Sequence, residues 1–284
     1  MTGSGERVEE RVTSTVGDVE VTSVERAVRA RLGRWPFQPD VAHLVLLDHQ
    51  MVPSRADVDG WIAQARASGL SVVRTGALFP SSVGPFVDAG FETIDRLALL
   101  EARLETRPDR GAQAESEVTT GRRDRDGDRD GDPHRGQHGT RGVRTRALRG
   151  RRLADAAVID HRAFTTPWGN DRAALADILH ATPASRARFI AVHRTMAAFA
   201  ITGVASRVGY LQRLAVDPGA QRRGLGHALV ADSLEWMRRR GATTAMVNTA
   251  FDNEAALGLY DTFGFQRRPD PLLILELRLD DPGK

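Results

Sequence analysis

The stretch "AQRRGLGHAL", residues 220–229, places two glycines one residue apart, between a pair of arginines and an apolar segment. The residues before it, "YLQRLAVDP" (210–218), have the composition of a β-strand. The residues after it, "ALVADSLEWMRRRG" (228–241), repeat apolar side chains near the helical period and end in an arginine cluster and a glycine. The two glycines are therefore predicted to lie in a turn between a strand and a helix.

A glycine-rich turn of this kind is suited to binding a phosphate. Glycine lets the backbone approach a ligand closely, and the start of the following helix presents unpaired N–H groups carrying a partial charge of about +0.5. The known nucleotide motifs do not fit, because the segment has no GxxxxGK[ST] pattern and the residue three after Gly226 is Leu229 instead of glycine. Two glycines alone do not identify the ligand.

The composition of the chain excludes several classes of protein. Its 284 residues predict two domains, and the absence of cysteine excludes disulfides, thiolate nucleophiles and cysteine-bound metals. No stretch approaches the ~18 apolar residues of a membrane helix and the start carries no secretory signal, so we expect a cytoplasmic protein without membrane contact. The 40 basic residues are almost balanced by 37 acidic ones, and no aromatic residues are interleaved with the basic ones. Nucleic acid is therefore not an expected partner.

A highly charged segment divides the chain. The run "RRDRDGDRDGDPHRG" (122–136) has no aliphatic or aromatic side chain and cannot offset its ordering entropy. We predict a disordered Arg/Asp/Gly-rich linker over 106–143 and a disordered N-terminus over 1–22, which leaves domains at 23–105 and 144–284. The aspartates between 124 and 130 resemble a calcium loop but lack its glycine and its glutamate, so no metal site is predicted.

The two predicted domains contain similar stretches. "SGLSVVRTGALFPSSVGPFVDAGFETIDRLALLEARL" (68–104) resembles "RGATTAMVNTAFDNEAALGLYDTFGFQRRPDPLLILELRL" (240–279), with Phe86 aligned to Tyr260. This likeness predicts an internal duplication, although two unrelated strand–helix–strand units could also look alike. The copies are unequal, because the N-terminal one has no counterpart of "QRRGLG".

The glycine turn and a second motif together resemble a known family. "LAVDPGAQRRGLGHALV" (214–230) is similar to motif A of the GCN5-related N-acetyltransferases (GNAT), and "NTAFDNEAALGLYDTFGF" (248–265) is similar to the second signature of that family. The resemblance covers roughly 144–279. It implies an α/β (α+β) GNAT fold, a mixed and mostly antiparallel sheet flanked by helices. With the repeat, it implies a tandem arrangement whose N-terminal half is a truncated, degenerate GNAT-like domain.

The resemblance also implies which residues hold acetyl-CoA, the expected cofactor. The end of one strand would pair with the pantetheine arm, the glycine turn would wrap the pyrophosphate, and an asparagine would contact the cofactor near its thiol. Tyr260 would be the catalytic acid that protonates the leaving thiolate. The implied cofactor-binding residues are Leu214, Ala215, Val216, Gln221, Arg222, Arg223, Gly224, Leu225, Gly226 and Asn253.

An amine that attacks a thioester must lose a proton, and the thiolate leaves better when protonated. Because the chain has no cysteine, direct transfer in a ternary complex is the predicted route. Ribosomal-protein alanine acetyltransferases carry a glutamate for deprotonation, and the aligned residue here is Asn248, which cannot accept a proton. Glu254, His161 and a water chain held by Asn248 and Tyr210 remain candidates, so the base stays unassigned.

The segment "HRAFTTPWGND" (161–171) joins two predicted helices that flank the acceptor site in this family. Phe164, Trp168, Asp171 and Asn248 are the candidate substrate-binding residues, with Asp171 attracting a cationic amine; alternatively, Trp168 only packs the loop onto the core. We therefore predict an acyl-CoA-dependent N-acetyltransferase acting on a primary amine of a small molecule, peptide or protein, with a homodimer as its expected assembly. The alternatives are a non-catalytic acetyl-CoA-binding regulatory module and an acetyltransferase similar to mycothiol synthase.

Overall fold

The computed structural model describes residues 19–22, 28–47, 51–105, 143–164 and 167–279. The predicted linker, apart from residue 143, and its aspartates lie outside these ranges. No helix among the described residues is long and apolar enough to cross a membrane.

The described part of the N-terminal half contains five strands and two α-helices. They are β1 (Val19–Thr22), β2 (Arg29–Trp35), β3 (Gln38–Leu46), α1 (Arg55–Ala67), β4 (Val72–Thr75), α2 (Gly84–Asp88) and β5 (Glu92–Arg103). The C-terminal half contains β6 (Arg146–Ala147), α3 (Arg152–Ala163), α4 (Arg172–His180), β7 (Ala184–Val192), β8 (Thr195–Ala205), β9 (Val208–Val216), α5 (Leu225–Arg239), β10 (Thr244–Ala250), α6 (Glu254–Asp261), β11 (Gln266–Arg267) and β12 (Leu272–Arg278).

Strand β1 corrects one sequence expectation. Residues 19–22 belong to the predicted disordered N-terminus, yet they pair antiparallel with residues 29–32 of β2. The sequence "VEVT" is rich in β-branched residues, which favour strands, and an adjacent hairpin offers it a free edge. The predicted boundary at residue 22 is therefore wrong.

The strands form one twelve-stranded sheet in the order β1-β2-β3-β4-β12-β5-β10-β9-β8-β7-β6, with β11 paired to β5. Most neighbours are antiparallel, and the parallel pairs are β3 with β4 and β9 with β10. Helix α5 packs with Leu214 and Val216 on one face of β9, whereas helix α3 packs with Ala215 on the other. The predicted mixed, mostly antiparallel sheet flanked by helices is confirmed.

The two halves of the chain exchange their last strands. Strand β5 ends the N-terminal half. It pairs antiparallel with the whole of β10, from Thr244 to Ala250. Strand β12, near the end of the chain, pairs with β4 on one side and β5 on the other. Leu275 of β12 is fully buried in the same N-terminal core cluster as Trp61. Each half therefore completes its sheet with a strand of the other.

Equivalent turns of the two aligned copies share their backbone conformation. Gly69 and Gly241, which follow α1 and α5, have φ angles of +69° and +80°. Gly90 and Gly264, which follow α2 and α6, have φ angles of +92° and +74°. Such left-handed positions favour glycine at helix ends, so the correspondence supports the predicted duplication.

Cleavage between Arg107 and Arg141 tests the strand exchange. Brief trypsin treatment should cut there and leave two fragments that co-elute in size-exclusion chromatography, because separating them would remove β5 and β12 from their sheets. A denaturing gel of the eluted peak should show both fragments. Separate elution of two folded fragments would contradict the exchange.

Candidate active site

Strands β9 and β10 diverge in the middle of the C-terminal sheet. Their parallel pairing covers Thr244 with Val208 to Met246 with Tyr210 and stops there. Beyond that point β9 pairs only with β8 and β10 only with β5, among the residues that the structure describes. A register shift in β9, of the kind that re-aims strands next to active sites, lies just past the last pair. The facing edges of 211–216 and 247–250 thus keep free backbone donors and acceptors.

The turn that follows β9 presents a run of unpaired backbone N–H groups. Arg222 and Gly224 both have left-handed φ angles, +63° and +75°. Gly224 precedes α5 without a side-chain cap, and the helix begins with the bond from Ala228 N–H to the Gly224 carbonyl at 3.0 Å. Within the described chain, no N–H of residues 222–227 donates a hydrogen bond. Successive free N–H groups at a helix start form an anion-binding nest.

The glycines of the turn meet two different requirements. Gly224 has a left-handed conformation that costs other L-residues roughly 1–2 kcal/mol. A Cβ on Gly226 would lie 3.2 Å from the Leu259 side chain and 3.7 Å from that of Val216. Gly226 therefore lets the start of α5 pack closely against α6 and the end of β9.

The corresponding region of the N-terminal half is closed. Helix α1 begins with a capping box, in which Ser54 and Asp57 satisfy each other's backbone N–H groups at 3.2 and 2.7 Å. Strands β3 and β4 pair up to Leu44 and Thr75, and the next N–H, that of Gly76, bonds to the Leu44 carbonyl. This half therefore has a side-chain-capped helix where the other half has free N–H groups.

Tyr260 lies on α6, is 4% exposed and packs against Phe265 with 5.7 Å between ring centroids. Burial raises the pKa of its hydroxyl, and the positive charge of Arg213 opposes this only in part. The hydroxyl therefore keeps its proton at neutral pH. Asn253 caps α6 by accepting the Ala256 N–H at 3.1 Å, which leaves its NH₂ group to donate.

The predicted acceptor residues occupy different surroundings. Phe164 lies beneath the Arg213 guanidinium, 3.6 Å from ring centroid to Cζ, and Trp168 meets Trp35 edge-on. Asp171 caps α4 by accepting the Ala174 N–H at 2.8 Å, so its carboxylate has a structural partner. Among the residues predicted to face substrate or to act as base, three are exposed; these are Asn248 on β10, Glu254 on α6 and His161 on α3.

A buried ion pair that sequence reasoning missed lies under this loop. Asp160 has a fully buried carboxylate that accepts from Arg213 at 2.6 and 2.7 Å and from the Asn170 N–H at 2.6 Å. Arg213 also donates to the Trp168 carbonyl at 2.9 Å. The signal was present, because a charge interrupts the apolar side of both α3 and β9. Removing one partner of such a pair typically costs about 3–5 kcal/mol.

A cavity of about 630 Å³ adjoins the end of β10. Both halves line it, since Thr93–Arg96 of β5 face Ala250–Asp252 and Pro271 across it. The N-terminal half therefore forms one wall of the cavity at the end of β10.

Residues 155–265 match the family model of the Acetyltransferase (GNAT) family. The chain carries a GNAT acetyltransferase domain. This match confirms the family resemblance of the two motifs. The matched residues include the free edges of β9 and β10, the nest and Tyr260.

Relatives of the GNAT domain share part of its sequence. The [ribosomal protein bS18]-alanine N-acetyltransferase of Escherichia coli K12 is 43% identical over 70 residues, 25% of this chain and 47% of that protein. The mycothiol acetyltransferase of Rhodococcus jostii is 40% identical over 60 residues, 21% of this chain and 20% of that protein. The chain thus matches about half, or less, of the length of these relatives.

A solved tandem GNAT protein from the clavulanic acid biosynthesis pathway has the same fold as the chain. It superposes with a TM-score of 0.56 at 17% identity, covering 93% of this chain and 83% of that one. The tandem architecture therefore extends beyond the matched GNAT domain to nearly the whole chain.

Two glycine substitutions test the nest. Gly224→Ala and Gly241→Ala both place a side chain at a left-handed φ, at the start and just after the end of α5, and should cost similar stability. Only Gly224→Ala should weaken coenzyme A binding, by roughly tenfold or more, because only it disturbs the free N–H groups. Titration calorimetry measures both affinities, and equal affinities of the two variants would contradict the assignment.

Proposed function

We propose that the protein is an N-acetyltransferase that transfers an acetyl group from acetyl-CoA to a primary amine by direct attack in a ternary complex. The observation that carries this proposal is the early end of β9–β10 pairing, which opens a cleft beside the anion-binding nest. A cleft with free backbone groups and a phosphate-sized nest suits a long ligand with amide groups at one end and phosphates at the other.

The residues present fit acetyl-CoA. The free N–H groups of 222–227 would hold the pyrophosphate, with Arg222 and Arg223 exposed beside them to add positive charge. The free edge of β9 at Leu214–Val216 would hydrogen-bond the amide groups of the pantetheine arm. Asn253 would donate through its NH₂ group. When bound there, acetyl-CoA supplies an activated acyl thioester.

The chemistry required of the chain is mainly proton handling. The buried Tyr260 holds a proton on its hydroxyl that a leaving sulfur needs, since its pKa lies above the ordinary 10.0. The attacking amine must lose a proton, and the candidate groups to organise water for this step are solvent-accessible; they are Asn248, Tyr210 and Glu254. A ligand that pairs with the free cleft edges displaces bulk water, and its hydrogen bonds to the chain are stronger as a result.

The relatives suggest which amines to test first. One is named a [ribosomal protein bS18]-alanine N-acetyltransferase, and the other a mycothiol acetyltransferase. A panel should therefore contain a peptide with an N-terminal alanine, the amine acceptor of mycothiol acetyltransferases and simple primary amines. Release of free thiol from acetyl-CoA, dependent on one of these amines, would support the proposal.

The same assay separates the enzyme from a regulatory module that binds acetyl-CoA without turnover. Calorimetric binding of acetyl-CoA with no thiol release across the panel favours the module. Failure to bind acetyl-CoA at all contradicts both readings.

Replacing Tyr260 by Phe tests its role as proton donor. The variant keeps the ring and its packing on Phe265 but loses the hydroxyl, so kcat should fall by about 10²–10⁴ while coenzyme A affinity stays unchanged. Because the Tyr260 pKa is raised, the wild-type kcat should not decline from loss of this proton as pH approaches 10. Normal turnover of Tyr260→Phe would make the ring a packing residue only.

A further inference from the structure

The tip of the β2–β3 hairpin in the N-terminal half contacts the loop between α3 and α4. Trp35 is 8% exposed, and its indole N–H donates to the Pro167 carbonyl at 2.8 Å. The Trp35 ring also meets the Trp168 ring edge-on with 5.7 Å between centroids. The hydrogen bond joins residues that are 132 positions apart along the chain, and the ring contact adds to it at the next residue.

Two further contacts connect the hairpin with α3 and α4. Arg31 forms a salt bridge with Asp177 of α4 at 3.0 Å, and both side chains are partly buried. The Phe37 ring, at the tip, lies 5.0 Å from the His161 ring in the last turn of α3, measured between ring centroids. The hairpin therefore meets both helices as well as the loop between them, and its position relative to them is fixed.

The hairpin itself is held rigidly. The Arg74 guanidinium stacks over the Trp35 ring at 4.6 Å and donates to Glu276 at 2.8 and 2.6 Å. Glu276 belongs to β12, the exchanged strand. The His43 ring meets the Trp35 ring edge-on, with 4.6 Å between centroids. Burial, together with the charges of Arg31 and Arg74, lowers the pKa of His43 to about 4, so His43 is neutral near pH 7. A neutral ring there adds no repulsion to the two arginines.

The opposite side of the loop rests on the GNAT domain. Arg213 donates to the Trp168 carbonyl and Asp160 accepts from the Asn170 N–H. Arg213 directly precedes Leu214, where the free edge of β9 begins to serve the proposed acyl-CoA cleft. The loop is therefore clamped between Trp35 of one half and Arg213 of the other.

From this geometry, together with the family resemblance that places the acceptor beside the α3–α4 loop, we propose that Trp35 is a positioning residue for the amine acceptor, so that the N-terminal half sets the acceptor side of a site whose cofactor groups all lie in the C-terminal half. The proposal rests on the acetyltransferase function proposed above. It gives the N-terminal half a task that needs no acyl-CoA cleft of its own.

Trp35→Phe tests this role, because phenylalanine keeps an aromatic ring but has no N–H to donate. A hydrogen bond of about 1 kcal/mol corresponds to roughly a fivefold effect, so the acceptor KM should rise at least that much while coenzyme A affinity stays the same. Trp61→Phe is the matched control, since Trp61 is 1% exposed in the N-terminal core and packs on Phe86, away from the loop. It should lower stability without changing the acceptor KM.

A second readout is independent of activity. The Asn170 N–H, which bonds to buried Asp160, reports whether the loop is held, and its hydrogen exchange should be faster in Trp35→Phe than in the wild type or Trp61→Phe. If both substitutions raise the acceptor KM equally, or if faster exchange leaves KM unchanged, Trp35 does not position the acceptor. If the wild type turns over no amine, the proposed function fails. Unchanged hydrogen exchange of the Asn170 N–H in Trp35→Phe would separately show that Trp35 does not hold the loop.

Discussion

The parallel pairing of β9 with β10 ends at Met246 and Tyr210, and the remaining features of the site depend on that end point. Had the two strands stayed paired, the backbone of 211–216 would be satisfied within the sheet and no extended ligand could bind it. The turn that follows β9 would then lie beside a fully paired sheet, with no cleft between the two strands. Because the strands part, free strand groups and free helix N–H groups form one continuous set of hydrogen-bonding partners.

The N-terminal half shows what the same architecture does without this feature. Strand β4 stays paired with β3 to its last residue, Thr75, and helix α1 begins with a capping box in which the side chains of Ser54 and Asp57 accept each other's backbone N–H groups. What it supplies instead is structural: strand β5 beside β10, one wall of the cavity at the end of β10, and Trp35 against the α3–α4 loop. The N-terminal half thus lacks a nest of its own, and its proposed role is to support the acceptor side of the other half.

The sequence predicted local features well because each depends on neighbouring residues. The glycine turn and the helix after it follow from short patterns around residues 210–241, whereas the mostly antiparallel sheet was implied by the family resemblance. Strand exchange could not be predicted, since β5 and β12 have nearly the same apolar pattern and either would fit either position. The clamp was missed for a similar reason, because Trp35 reads as an ordinary hairpin residue until the fold brings it to Pro167. Asp171 was predicted to attract an amine, and only the structure shows its carboxylate bonded to the start of α4.

Hydrogen exchange of the backbone amides with and without acetyl-CoA tests the central claim most directly, because it reports on the N–H groups themselves. The account predicts new protection at residues 222–227 and along the free edge of β9 at 211–216. It predicts no change at the start of α1, residues 55–58, which is the equivalent position in the other half. Protection at 55–58, or none at 222–227 under saturating acetyl-CoA, would contradict the account.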